Sequence, residues 1–193
     1  MAADTKQRIV DAGATLFRRQ GYTGTGVKQI VAEASAPFSS LYHFFPGGKD
    51  ELGAEVIHTS GQMFQELVEA VFDAAPDLPS GVQACFTGAA ETLRQTDYAD
   101  ACPIATVALE VASTNEPLRQ ATAEVFERWI AAATQRIAAA GIPDVAARQL
   151  AISIICLLEG AFILSRATRT TEPLQAAGRT AEEAARAASS AQR

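Results

Sequence analysis

Between Thr25 and Lys49 the chain sets out side chains suited to binding rather than to making bonds: Thr25, Lys28, Ser39, Tyr42, His43 and Lys49, with Pro37 and Phe38 among them. Hydroxyls, an imidazole and ammonium groups can meet base edges and phosphate oxygens, and an aromatic ring can meet a thymine methyl. No reaction centre accompanies them. The sequence suggests no Ser/His/Asp or Cys/His arrangement and no glycine-rich phosphate loop, and His43 and His58 have no third and fourth ligand nearby. Cys85, Cys102 and Cys156 are odd in number and unpaired in spacing, which argues against a zinc site and a disulfide framework. The chain reads as a binding protein, not an enzyme, with no catalytic residue, metal or cofactor.

Two short helices must hold these groups. Val27, Ile30, Val31 and Ala34 recur at helical spacing, with Thr25 expected as the N-cap. Ala34 to Pro37 breaks the helix, and Pro37 suits the first turn of a second one running to about Phe44. In that helix Leu41 and Phe45 face inward, leaving Phe38, Ser39, Tyr42 and His43 outward. Two helices so joined lay the second in the DNA major groove while the first braces across the backbone. Gly47 and Gly48 are expected to turn bare amides, beside Lys49, toward a phosphate. A first helix from Thr5 to about Gln20, with Ile9, Ala12, Gly13, Leu16 and Phe17 on one stripe and Gly21 as its stop, completes a three-helix head.

The 193 residues carry a net charge of -6, which at first opposes a nucleic-acid partner. The charge is unevenly spread. Residues 1–52 hold Lys6, Arg8, Arg18, Arg19, Lys28 and Lys49 against Asp4, Asp11, Glu33, Asp50 and Glu51; the remainder holds ten basic and seventeen acidic groups. The acidity belongs to the later part, and a near-neutral head implies modest non-specific affinity. The start, MAADTKQR, lacks the apolar core of a signal peptide, and the apolar run Leu150 to Leu164 is broken by Glu159 and Gly160. A cytoplasmic protein with no membrane partner is expected.

The run Gly21-Tyr22, Thr25-Gly26-Val27, Ile30-Val31 and Leu41-Tyr42-His43-Phe44-Phe45-Pro46-Gly47-Gly48-Lys49 resembles the DNA-binding domain of the tetracycline-repressor (TetR) family of bacterial regulators. Cys102-Pro103-Ile104-Ala105-Thr106 and Ala108-Leu109-Glu110 resemble its LmrA/YxaF-like branch. This chain has Ser35 where the family usually has glycine, and Phe38-Ser39 where the branch commonly has Lys-Gly. The resemblance implies an all-α fold, with a helix-turn-helix DNA-binding head at 1–48 and a larger ligand-binding and dimerisation domain at 49–193, about nine helices in all. It implies a homodimer on a double-stranded DNA operator, a repressor rather than an activator, and relatives that answer to drug-like or flavonoid compounds. The DNA-binding set it supports is Thr25, Lys28, Pro37, Phe38, Ser39, Tyr42, His43 and Lys49.

A long helix from Lys49 to about Ala75 is expected to show Leu52, Val56, Met63, Leu67 and Val71 on or near one face, with Phe64 and Phe72 beside it. Beginning at the DNA surface and ending in the second domain, it is a mechanical link. Helices follow from Ser80 to about Gln95, from Pro103 to Ala112, from about Asn115 to Gly141, and from an Asp144 cap to Arg166; Thr171 to Pro173 opens an Ala-rich last helix, expected to fray from Ala184 to Arg193. Phe64, Leu67, Phe86, Leu109, Phe126, Trp129 and Phe162 could line a cavity, with Thr106 and Glu110 orienting an apolar or aromatic effector. The helix ending at Arg166 is apolar nearly all round in its second half and needs two covers, which a symmetry mate can supply. Ile155, Glu159, Phe162 and Arg166 are its interface candidates. The alternative is a dimeric helical small-molecule-binding protein whose head no longer reads DNA.

Overall fold

The structure, a computed structural model, describes residues 2–190. Among them are α1 (Ala2–Gln20), α2 (Val27–Glu33), α3 (Phe38–Phe44), α4 (Lys49–Ala74), α5 (Leu78–Gln95), α6 (Pro103–Val111), α7 (Glu116–Ala139), α8 (Asp144–Thr168) and α9 (Glu172–Ser190), and no strand. The expected all-α class is the observed one. The expectation that α9 frays from Ala184 divides here: the helix continues through Ser190, and residues 191–193 lie outside the described residues.

The chain forms two compact units, one of residues up to Met63 together with Cys102–Val125, the other of Phe64–Ala101 with Phe126 onward. In the first unit α1 packs on α2, α3 and α6, and α2 on α3. Its interior takes Ile9 and Phe17 from α1, Ile30 from α2, Leu41 from α3, Leu52 and Ile57 from α4, and Ile104 from α6, all fully buried. The helical spacing that placed Ile9 and Phe17 on one stripe is therefore a packing stripe. Gly21 ends α1 at φ +79°, its N–H returning to the Phe17 carbonyl at 3.0 Å, a left-handed stop suited to a residue without Cβ.

In the second unit α9 lies along α5 and α8. Val82, Phe86 and Leu93 of α5 bury against Leu158 and Phe162 of α8 and Leu174 and Ala181 of α9. At ~1.5–3 kcal/mol for each large apolar side chain removed from water, this shared core is the main force holding the three helices together. Gly178 permits their approach, since a Cβ there would stand 2.8 Å from the Phe86 Cβ. Asp77 caps α5 by accepting the Ser80 N–H at 2.8 Å.

Two expected caps are not the observed ones. Gly26, not Thr25, is the N-cap of α2, without a side-chain bond, because the Thr25 hydroxyl is turned inward to donate to the Gly21 carbonyl at 2.6 Å. Pro143, not Asp144, precedes α8, and Asp144 is its first helical residue. The buried face of α4 also differs from the expected one. Met63 and Leu67 are 59% and 60% exposed, whereas Leu52 and Val56 are buried. Among the described residues α8 alone has the length and apolar composition of a membrane-crossing helix.

Candidate nucleic-acid interface and effector cavity

The turn between α2 and α3 is built by backbone bonds: Ala34 N–H to the Ile30 carbonyl at 2.9 Å and Ala36 N–H to the Val31 carbonyl at 2.9 Å. Ser35 between them sits at φ +48°, the left-handed region that glycine occupies without penalty. Pro37 then takes φ -59° and ψ 143°, an extended geometry, so it caps α3 rather than entering it. Leu41 and Phe45 are buried as expected and pin α3 to the unit, leaving its other side to solvent.

That free side carries Phe38, Ser39, Tyr42 and His43, all exposed. Phe38 and Tyr42, each 48% exposed and one turn apart, hold their ring centroids at 5.7 Å, and His43 stands edge-on to Phe44 at 4.9 Å. Lys28 is exposed on α2, and Pro37 is exposed at the head of α3. Thr25 is placed differently. Only 1% exposed, it accepts from the Gln20 side-chain amide at 3.2 Å while donating to Gly21.

The glycine turn after α3 does not offer free amides. Gly47 N–H donates to Glu51 Oε2 at 2.7 Å and Gly48 N–H to the Phe45 carbonyl at 2.8 Å. Lys49 is likewise engaged within the unit: its Nζ lies 4.0 Å from the centroid of the Tyr22 ring. Burial holds this ammonium below the usual lysine range, against the opposing pull of the Asp50 and Glu110 carboxylates. The Tyr22 hydroxyl donates to Asp50, whose other oxygen accepts from the Asn115 amide at 3.0 Å. These side chains knit α4 and the start of α7 to the turn after α1.

The second unit contains a cavity of about 470 Å³, well within the roughly 300–1,000 Å³ of small-molecule sites. Its wall takes Phe64, Phe86 and Trp129 from the expected set, and Phe64 and Trp129 bring their rings to 4.8 Å. Phe126 meets Trp129 edge-on at 5.7 Å from outside the lining. Phe162 is buried in the shared core and Leu67 is exposed, so neither lines it. Thr106, Leu109 and Glu110 belong to the first unit: the Thr106 hydroxyl donates to the Cys102 carbonyl at 2.8 Å, Leu109 is 75% exposed, and Glu110 accepts the Thr23 N–H at 2.6 Å.

Spacing on α4 could have found the missed wall, since Val68 and Phe72 follow Phe64 at successive fours and all three line the cavity. Polar groups in the wall include Glu69, Arg136 and Glu159; Arg136 reaches Asp73 at 2.6 Å and stacks over Phe72. Burial pushes the Cys85 thiol up to about 11, leaving it a poor nucleophile at neutral pH. Of the expected interface set, Ile155 and Glu159 line the cavity, and Arg166 donates to the carbonyls of Tyr98 and Ala99 at 3.3 and 3.1 Å.

Two sequence profiles match the chain: bacterial regulatory proteins of the tetR family over residues 9–56, and the C-terminal domain of LmrA/YxaF-like transcriptional regulators over residues 80–180. The HTH-type transcriptional regulator YxaF of Bacillus subtilis is 33% identical over 171 residues, 89% of this chain and 90% of that protein. LmrA, an HTH-type transcriptional regulator of the same organism, is 29% identical, with 89% and 91% covered. A crystal structure of a TetR regulatory protein from Rhodobacter sphaeroides superposes with a TM-score of 0.81 at 23% identity, covering 92% of this chain and 97% of that one. The helix-turn-helix with its exposed α3 face and these matches agree: the chain belongs to the TetR family of DNA-binding transcriptional regulators, which are not enzymes, and its C-terminal part to the LmrA/YxaF-like branch.

Proposed function

We propose that this regulator is a repressor that leaves a palindromic operator when an apolar or aromatic small molecule enters the second unit. The observation that carries the effector reading is the cavity of about 470 Å³, walled by Phe64, Phe72, Phe86 and Trp129. Aromatic walls of this kind reward flat apolar ligands over sugars or nucleotides. α4 supports the coupling, because one uninterrupted helix begins at Lys49 and carries Phe64, Val68 and Phe72. Residues 1–48 would be the reading head and 49–193 the sensing and dimerising part. DNA contact is assigned to Lys28, Pro37, Phe38, Ser39, Tyr42 and His43; Thr25 and Lys49 would act by shaping the head.

Dimerisation is assigned to α8 and α9. Ile152, Cys156, Gly160 and Ile163 form an exposed stripe along α8, and small residues such as Ala176 and Thr180 lie exposed on α9. A four-helix contact between two copies would cover both. Two α3 helices roughly one DNA turn apart then account for a palindromic site. A regulator of this family acts on cytoplasmic DNA, and α8 is read as an interface helix rather than a membrane span.

The test is fluorescence anisotropy on the DNA upstream of the protein's own gene, against a scrambled duplex at several salt concentrations. Sequence-preferring binding that weakens with salt is expected. Trp129, the chain's one tryptophan, reports the effector side: an aromatic ligand should quench it and release the duplex. Ala133→Phe, which fills the cavity wall, should abolish quenching and release while leaving operator binding intact. Quenching without release would sink the coupling.

A further inference from the structure

We infer that α3 reads its operator through thymine methyl groups, with Phe38 as the specificity-determining residue and Tyr42 as its support; this rests on the proposal that the exposed α3 face is the DNA-reading surface. The helix Phe38–Phe44, FSSLYHF, contains none of the side chains that make two hydrogen bonds to one base: no Arg or Lys for guanine, and no Asn or Gln for adenine. Nor does it hold an Asp or Glu to accept from cytosine. What remains exposed is a hydroxyl at Ser39, an imidazole at His43 and the aromatic pair Phe38 and Tyr42, the latter with one phenol hydroxyl at its tip.

The pair is shaped for this. Phe38 and Tyr42 are each 48% exposed, and their rings meet at 5.7 Å, so together they form one aromatic ridge instead of two isolated rings. Phe38 heads α3, and the first residues of a recognition helix are those that reach base edges. In the major groove the apolar feature that distinguishes one base from the rest is the C5 methyl of thymine. An exposed phenylalanine at that position gains on binding what it forgoes in solvent, and a methyl buried against it gains in the same way. Neither of the cations nearest this surface in sequence lies on α3. Lys28 lies on α2, and the Lys49 ammonium is folded over the Tyr22 ring at 4.0 Å.

The experiment selects duplexes from a random library with the full-length protein, then replaces thymine by uracil at single positions of the selected site. Uracil keeps the pairing and the hydrogen-bonding edge and removes only the methyl. At one or two positions in each half-site, uracil is expected to weaken binding about fourfold, as befits one buried methyl. Phe38→Ala, at an exposed position that leaves the helix pinned by Leu41, should bind the thymine and uracil duplexes alike at those positions. Uracil variants that bind wild-type protein as well as thymine at every position overturn the inference, as does a uracil penalty that persists unchanged in Phe38→Ala. Failure to select any motif overturns the DNA-reading proposal and this inference with it, so the two failures are told apart by whether a site is selected at all.

Discussion

The carboxylate of Glu110 accepts the backbone N–H of Thr23 at 2.6 Å, joining α6 to the turn after α1 across 87 residues of sequence. It does so over Gly21, where a Cβ would stand 1.8 Å from Glu110 Oε1. Gly21 is thus required twice, for its φ of +79° and for the space the carboxylate occupies. Gly21→Ala should lower stability by roughly 2–4 kcal/mol in urea melts, from left-handed strain and displacement of Glu110 together. Glu110→Gln keeps the shape and only weakens the bond, so a loss of about 1 kcal/mol is expected. Equal melts for Gly21→Ala and wild type would show that this contact does not position the turn.

Ser35 occupies the left-handed region at φ +48°, which glycine adopts without penalty. Its backbone angles are set by the two bonds that close the α2–α3 turn, from Ala34 N–H to Ile30 and from Ala36 N–H to Val31. A side chain there costs about 1 kcal/mol. Ser35→Gly should therefore raise the melting temperature by a few degrees, with thermal unfolding as the measurement. An unchanged or lower melting temperature would mean that the extra freedom of glycine in the unfolded chain cancels the relief.

The head was legible in the sequence because its signals are local. Ile9 and Phe17, Ile30 and Val31, and Leu41 and Phe45 declare their faces by spacing alone, and each is buried. The roles of Glu110 and Lys49 were not legible. Both carry groups that suit a ligand or a phosphate, yet both are claimed by partners near Gly21 and Tyr22 that only the packing of α6 and α4 on α1 brings close. The cavity was half legible: Phe64, Phe86 and Trp129 announce themselves as aromatics, whereas Ala133 and Ile154 line it only because of where α7 and α8 run. Leu67 misled because a four-residue spacing from Met63 marks a shared face without saying whether that face is covered.

Tyr22 makes alkaline pH a probe of the first unit. Burial, then its hydrogen bond to Asp50, then the Asp50 charge raise this phenol well above its ordinary value of 10.0. A group raised on folding contributes fully below its unfolded value and loses that contribution as pH rises beyond it. Lys49 works oppositely, since its lowered value means that its share of stability grows as pH climbs toward 10.5. Tyr22→Phe isolates the first effect. The stability gap between wild type and Tyr22→Phe should narrow above pH 10, and one tyrosinate absorbance step above the ordinary range should vanish in the variant. A gap that widens there would reverse the assignment.

Phe162 and Ile163 are neighbours on α8 with opposite surroundings. Phe162 is buried with Val82 and Phe86 in the core of the second unit, whereas Ile163 is 53% exposed on the stripe shared with Ile152 and Cys156. A charge at Phe162 therefore tests folding, while a charge at Ile163 tests assembly. Ile163→Lys should keep the helical circular dichroism of the wild type but sediment as a monomer, because a buried unpaired ammonium at a helix–helix contact is costly. Loss of the second reading head should then cut affinity for a two-half-site duplex by roughly 100-fold or more. Phe162→Lys should instead lose helicity and melt early. An Ile163→Lys protein that still sediments as a dimer would move the interface off this stripe of α8, and with it the explanation of what covers the exposed apolar residues Ile152, Ile163 and Leu164.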